Sequence, residues 1–129
     1  LILSTNSEQV SEASVAPKVR ALLAQHAFGL SDEKARQSDI ASVFNDHGLQ
    51  YRKEFYLSNR DIIDFFFEDG TGVEIKIKGQ KMSIYRQLCR YAESYHIKKI
   101  ILVSAISIGM PKEINGKPIE VLSLGRAHL

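Results

Sequence analysis

An α/β domain built on a mixed central sheet is the architecture this chain's pattern of elements demands. Two helical periodicities come first, three short strand-like runs joined by tight turns follow, and a helix then leads into a wholly apolar strand. Connections of two to four residues favour an antiparallel meander, and the intervening helix is a crossover that brings one more strand to the same sheet.

The elements follow in order. Residues 1–14 are rich in Ser, Glu, Gln and Asn and read as a polar tail or linker, leaving 15–129 as one domain. The opening on Leu1 rather than Met is in keeping with a chain processed or cut from something longer. Val15, Val19, Leu22, Leu23 and His26 recur at helical spacing, with Gly29 as the stop. Ser31 is placed to cap a second helix, with Asp32 and Glu33 in its first turn and Gly48 at its end. Its inward stripe is Glu33, Gln37, Ile40 and Phe44, so an acid sits at the tip of an apolar face. Strands are expected over 51–57, 61–67 and 71–78, separated by Ser58-Asn59 and by Glu68-Asp69-Gly70. Residues 83–96 carry Ile84, Leu88, Tyr91 and Tyr95 on one helical face. Residues 98–103 contain an apolar run typical of a strand buried on both faces. Asn115-Gly116 marks a tight turn before a last strand at 119–124.

Composition narrows the classes. The 44% hydrophobic and 25% charged content is that of an ordinary soluble globular protein. No apolar run approaches the ~20 residues of a membrane span, so no membrane partner is expected. Cys89 is the single cysteine, which rules out an internal disulfide and a cysteine-based zinc site and favours a reducing, cytoplasmic setting. Net charge is only +2, yet Lys76, Lys78, Lys81, Arg86, Arg90, Lys98 and Lys99 face one acid, Glu93, between residues 76 and 99. A local basic field beside carboxylates suits a site that takes an anion onto a metal. His26, His47, His96 and His128 are scattered without metal-ligand spacing, and neither a nucleophile elbow nor a Gly-rich phosphate loop is present.

The chemistry concentrates between Asp64 and Tyr91. Asp64 interrupts the run Ile62-Ile63-Asp64-Phe65-Phe66-Phe67, where burying a charge is costly. Glu74 and Lys76 share one face of the next strand, with Val73, Ile75 and Ile77 on the other. If those strands pair, Asp64 and Glu74 converge on one hard cation, with the carbonyl of Ile75 as the natural third ligand. Mg²⁺ is the expected ion, with Mn²⁺ as its substitute. Lys76 stands where it can assist an attacking water or offset charge on a phosphate. Gln87 and Tyr91, four apart on a helix, share a face and are hydrogen-bonders able to reach a phosphate, a base or that water. Arg86 and Arg90 form a second such pair, suited with Lys78 and Lys81 to gripping a nucleic-acid backbone. Read alone, Glu74 and Lys76 would also fit an exposed charge ladder on an edge strand; Asp64 beside them argues for a site.

The run Asp64…Glu74-Ile75-Lys76…Gln87-Leu88-Cys89-Arg90-Tyr91 resembles the PD-(D/E)XK nuclease superfamily, in particular the RecB-like and lambda-exonuclease-like branch with Gln-x-x-x-Tyr on the helix after the catalytic strand. The resemblance spans roughly residues 31–103 and implies a restriction-endonuclease-like core with the order α-β-β-β-α-β. It implies Asp64 and Glu74 as metal ligands, Lys76 as the catalytic lysine and Glu33 as an accessory acid holding water or a second ion. The family's leading proline is absent, since Ile63 precedes Asp64. Asp61 is a rival acid, but at three residues' distance on an unbulged strand it points to the opposite face, which favours Asp64.

The expected function is therefore Mg²⁺-dependent hydrolysis of DNA phosphodiesters by a metal-activated water, endonucleolytic rather than exonucleolytic. The rivals are a non-catalytic nucleic-acid-binding or assembly module that kept the fold, and an RNA-directed nuclease. A domain of this size leaves the choice of site to a separate specificity domain, a partner protein or a homodimer.

Overall fold

The computed structural model describes residues 14–26 and 32–124, which form three helices and six strands. They are α1 (Ala16–Gln25), α2 (Glu33–Asp46), β1 (Arg52–Tyr56), β2 (Ile62–Phe66), β3 (Thr71–Lys76), α3 (Lys81–Ala92), β4 (Lys99–Ser104), β5 (Glu113–Ile114) and β6 (Lys117–Ser123). The strands form one mixed sheet in the order β1-β2-β3-β4-β6-β5. β1, β2 and β3 are the expected antiparallel meander. After α3 crosses over, β4 runs parallel to β3 and β6 parallel to β4, while β5 closes the far edge antiparallel to β6.

The sheet is sandwiched. On one face α1 and α2 pack Val19, Leu22, Leu23, Ile40 and Phe44 against Phe65, Val73, Ile75, Ile101 and Val103. On the other, α3 packs Ile84, Leu88 and Tyr91 against Ile63, Phe66, Ile100 and Leu102. β4 therefore buries alternate residues into both layers, as its unbroken apolar run requires. Gly72 makes the second layer fit, because a Cβ there would collide with the side chains of Ile63 and Ile97.

Several boundaries differ from expectation, each for a local reason. The helix cap at α2 is Asp32, whose side chain accepts the Ala35 N–H at 2.7 Å; Ser31, like Gly29, residues 1–13 and His128, lies outside the described residues. The buried stripe of α2 is Arg36, Ile40, Val43 and Phe44, leaving Glu33 and Gln37 half-buried at its rim. α3 runs from Lys81 to Ala92 rather than over 83–96, so Tyr95 falls beyond the helix and is 76% exposed instead of joining its apolar face. β5 was too short to show periodicity. It exists because Asn115 and Gly116, both at positive φ (55° and 75°), fold a hairpin of the type that right-twisted strands prefer. Among the described residues no helix is long and apolar enough to cross a membrane.

Candidate active site

β2 and β3 pair over only two positions, Phe65 with Val73 and Phe66 with Gly72. The next pair in that register would be Asp64 with Glu74, and there the ladder opens. Side-chain carboxylates replace the missing backbone partners. The Asp64 N–H donates to Glu74 Oε1 at 3.2 Å, and the Ile75 N–H donates to Asp64 Oδ2 at 2.8 Å. The two acids are thus seated in a fork between diverging strands.

Asp64 is irregular on its other side as well. β1 pairs with β2 at Lys53–Phe65 and Phe55–Ile63 but not between them, and Glu54, opposite Asp64, has a φ of 53°. A left-handed φ at a non-glycine strand residue costs about 1 kcal/mol or more. The twist shows in packing, since Ile63 and Phe65, two apart, enter opposite core layers. Parity arguments therefore fail across Asp64, and the reason given in sequence for setting Asp61 aside is corrected. Asp61 is occupied elsewhere: at the β1–β2 turn its Oδ1 accepts from Arg90 Nε at 3.0 Å and its backbone carbonyl accepts the Leu57 N–H.

The electrostatics of the fork are unfavourable to charge. Glu74 is 3% exposed, and its carboxyl is pushed up to about 8, chiefly by burial and then by Asp64. Asp64 is raised to about 6 by burial, partly offset by the Ile75 N–H and by Lys76, with Glu33 and Glu54 adding repulsion. Burial and the mutual repulsion of the pair thus favour its protonated form. Lys76, partly exposed, brings Nζ to 3.5 Å from Glu74 Oε2. In an extended strand the N–H and C=O of one residue point the same way, so the Ile75 carbonyl turns toward the fork with its N–H. Among the described residues no third His, Cys, Asp or Glu completes a three-side-chain metal cluster.

Two helices reach the fork from opposite layers. At the head of α2, Glu33 Oε2 accepts the Ile77 N–H at 3.0 Å, just past the end of β3. One turn on, Gln37 Nε2 donates to Asp64 Oδ1 at 2.8 Å. From α3, the buried Tyr91 hydroxyl accepts from Gln87 Nε2 and donates to the Ile62 carbonyl, both at 2.8 Å. That hydroxyl lies beside Glu74, and burial together with the nearby carboxylates raises its pKa far above the ordinary phenol value. Tyr91 thus stays protonated and clamps the strand behind the acids, with Gln87 holding Tyr91. Arg90 is tied to Asp61, whereas Lys78, Lys81 and Arg86 are exposed around the start of α3. Sequence reasoning missed the partnership of Gln37 with Asp64 and the proximity of Glu54. Gln37 had one signal, its place on the same helical stripe as Glu33.

Compared with protein-family models, curated proteins and solved structures, the chain matches none of them.

Proposed function

We propose that this domain is a Mg²⁺-dependent nuclease that hydrolyses phosphodiester bonds of DNA, on a sheet of the restriction-endonuclease-like type. The observation that carries the reading is the fork: two carboxylates, Glu74 buried and Asp64 half-buried, seated where a strand pair opens, with one lysine alongside. A fold does not accumulate such a repulsive pair for stability, because a buried charge costs more than packing there would return.

The donors fit Mg²⁺ or Mn²⁺. Asp64, Glu74 and the Ile75 carbonyl are hard oxygen donors, and a divalent ion would take the place of the proton that burial and mutual repulsion favour on the acids. When bound, the ion supplies Lewis-acid charge at the phosphate and eases ionisation of water. The chain's own residues do the rest. Lys76 orients the attacking water and faces the charge that builds on the phosphate oxygens. Glu33 holds the end of β3 and adds an acceptor for water at the rim. Tyr91 and Gln87 keep β2 in register behind Asp64. Lys78, Lys81 and Arg86 offer flanking phosphates a basic path, while Arg90 is partly neutralised by Asp61.

The test is incubation of plasmid, linear and branched DNA, and of RNA, with Mg²⁺ or chelator, beside Glu74→Ala. Mg²⁺-dependent cleavage lost in the variant is expected. No metal-dependent loss of any substrate sinks the enzymatic reading, and tight DNA binding unchanged by Lys76→Ala points to the idle binding module instead.

A further inference from the structure

We infer that Gln37 is a positioning residue, whose side-chain amide locks the Asp64 carboxylate and thereby sets the site's affinity for a divalent cation. The inference rests on the cation-binding reading of the fork and extends it to a residue outside the acid–lysine set.

A carboxylate's terminal torsion is broad, so one hydrogen bond leaves its plane free to turn. Asp64 has two, on different oxygens. The Ile75 N–H takes Oδ2 at 2.8 Å and Gln37 Nε2 takes Oδ1 at 2.8 Å. With each oxygen engaged once, the remaining lone pairs are held in fixed directions, the condition for a ligand that need not reorganise on binding. The donor's chemistry matters as much as its place. Asp64 already lies near Glu33, Glu54 and Glu74, and Lys76, which contacts Glu74, offsets part of their repulsion. An Arg or Lys at position 37 would satisfy Oδ1 but cancel the charge a metal needs. A neutral amide fixes the group and leaves its charge intact.

The helix gives Gln37 leverage. Glu33 and Gln37 are one turn apart on α2. The first bonds the backbone just beyond β3, the second bonds the acid on β2. α2 thus spans the two strands where they part, so Gln37 both aims Asp64 and keeps the fork at a set width.

Calorimetric titration of the full chain with Mn²⁺ tests this without relying on cleavage. Gln37→Met, close in size but with no donor, is expected to weaken Mn²⁺ binding about tenfold or more, and Gln37→Ala to do the same. The Mg²⁺ concentration for half-maximal cleavage rises in parallel, while the rate at saturating Mg²⁺ changes much less. In an Asp64→Asn background Gln37→Met adds nothing further, which a general loss of structure would not reproduce. Wild-type-like Mn²⁺ affinity in Gln37→Met, or an equal loss with and without Asp64, overturns the inference alone. A wild-type chain that binds no Mn²⁺ overturns the site reading along with it.

Discussion

The two edges of β3 are built on opposite terms. Toward β4 the strand is paired over six consecutive positions, Thr71–Lys99 through Lys76–Ser104, with Ile101 and Val103 in one core layer and Ile100 and Leu102 in the other. Toward β2 it is paired over two positions and then released, and the space is filled by Asp64 and Glu74. One edge buries apolar area and satisfies its backbone with backbone. The other satisfies its backbone with carboxylates, at the expense of charge repulsion. The same six residues of β3 thus anchor the fold on one side and border the two acids on the other.

Three experiments break or sharpen that contrast. The largest effect on stability is expected at the β4 edge, where Leu102→Ala removes a fully buried side chain and costs about 2–5 kcal/mol in denaturant unfolding. Activity per folded molecule is expected to survive, and its loss would mean the two edges are not separable. At the fork the sign reverses. Glu74's carboxyl is raised to about 8 in the fold, above its ordinary value near 4.3. The folded state therefore binds the proton more tightly than the unfolded chain. Its stabilising contribution is complete below the unfolded pKa and is lost as pH climbs toward about 8. Glu74→Gln is expected to abolish cleavage yet raise metal-free stability above pH 8 by a few kcal/mol, read as a flatter pH–Tm profile. A destabilised variant at that pH would make Glu74 a structural group. The smallest effect belongs to the turn beside the site. Arg90 and Asp61 form a partly exposed ion pair, so Arg90→Ala is expected to change stability by no more than ~1 kcal/mol and to leave cleavage within a few-fold. A large activity loss would return Arg90 to the substrate path.

Legibility in the sequence followed the range of the physics. The meander, the crossover helix, the doubly buried β4 and the shared face of Glu74 and Lys76 were readable, because periods of 2 and 3.6 are local properties. Asp64 announced itself as an acid in an apolar strand, and Glu33 as an acid at the head of an apolar stripe. Asp32's role as cap was masked by Ser31, an equally good capping residue next to it. Tyr95 fitted the helical face by spacing but fell past the helix's end. β5 had too few residues to carry a pattern, although the Asn115-Gly116 turn that builds it was plain.

By itself the chain determined which residues ride on which strand or helix and where a charge would be expensive, since both follow from neighbours a few positions away. Only the tertiary structure decided where the β2–β3 ladder opens, and with it the partners of the exposed backbone groups. Gln37 meets Asp64 across 27 residues, Tyr91 meets the Ile62 carbonyl across 29, and Arg90 is drawn to Asp61 over the same span. Those contacts depend on how two strands diverge between packed layers of helices. Ile63 and Phe65 enter opposite layers beside that opening, and Gly72 leaves room for Ile63 and Ile97 by having no side chain, a long-range fit that no local period encodes.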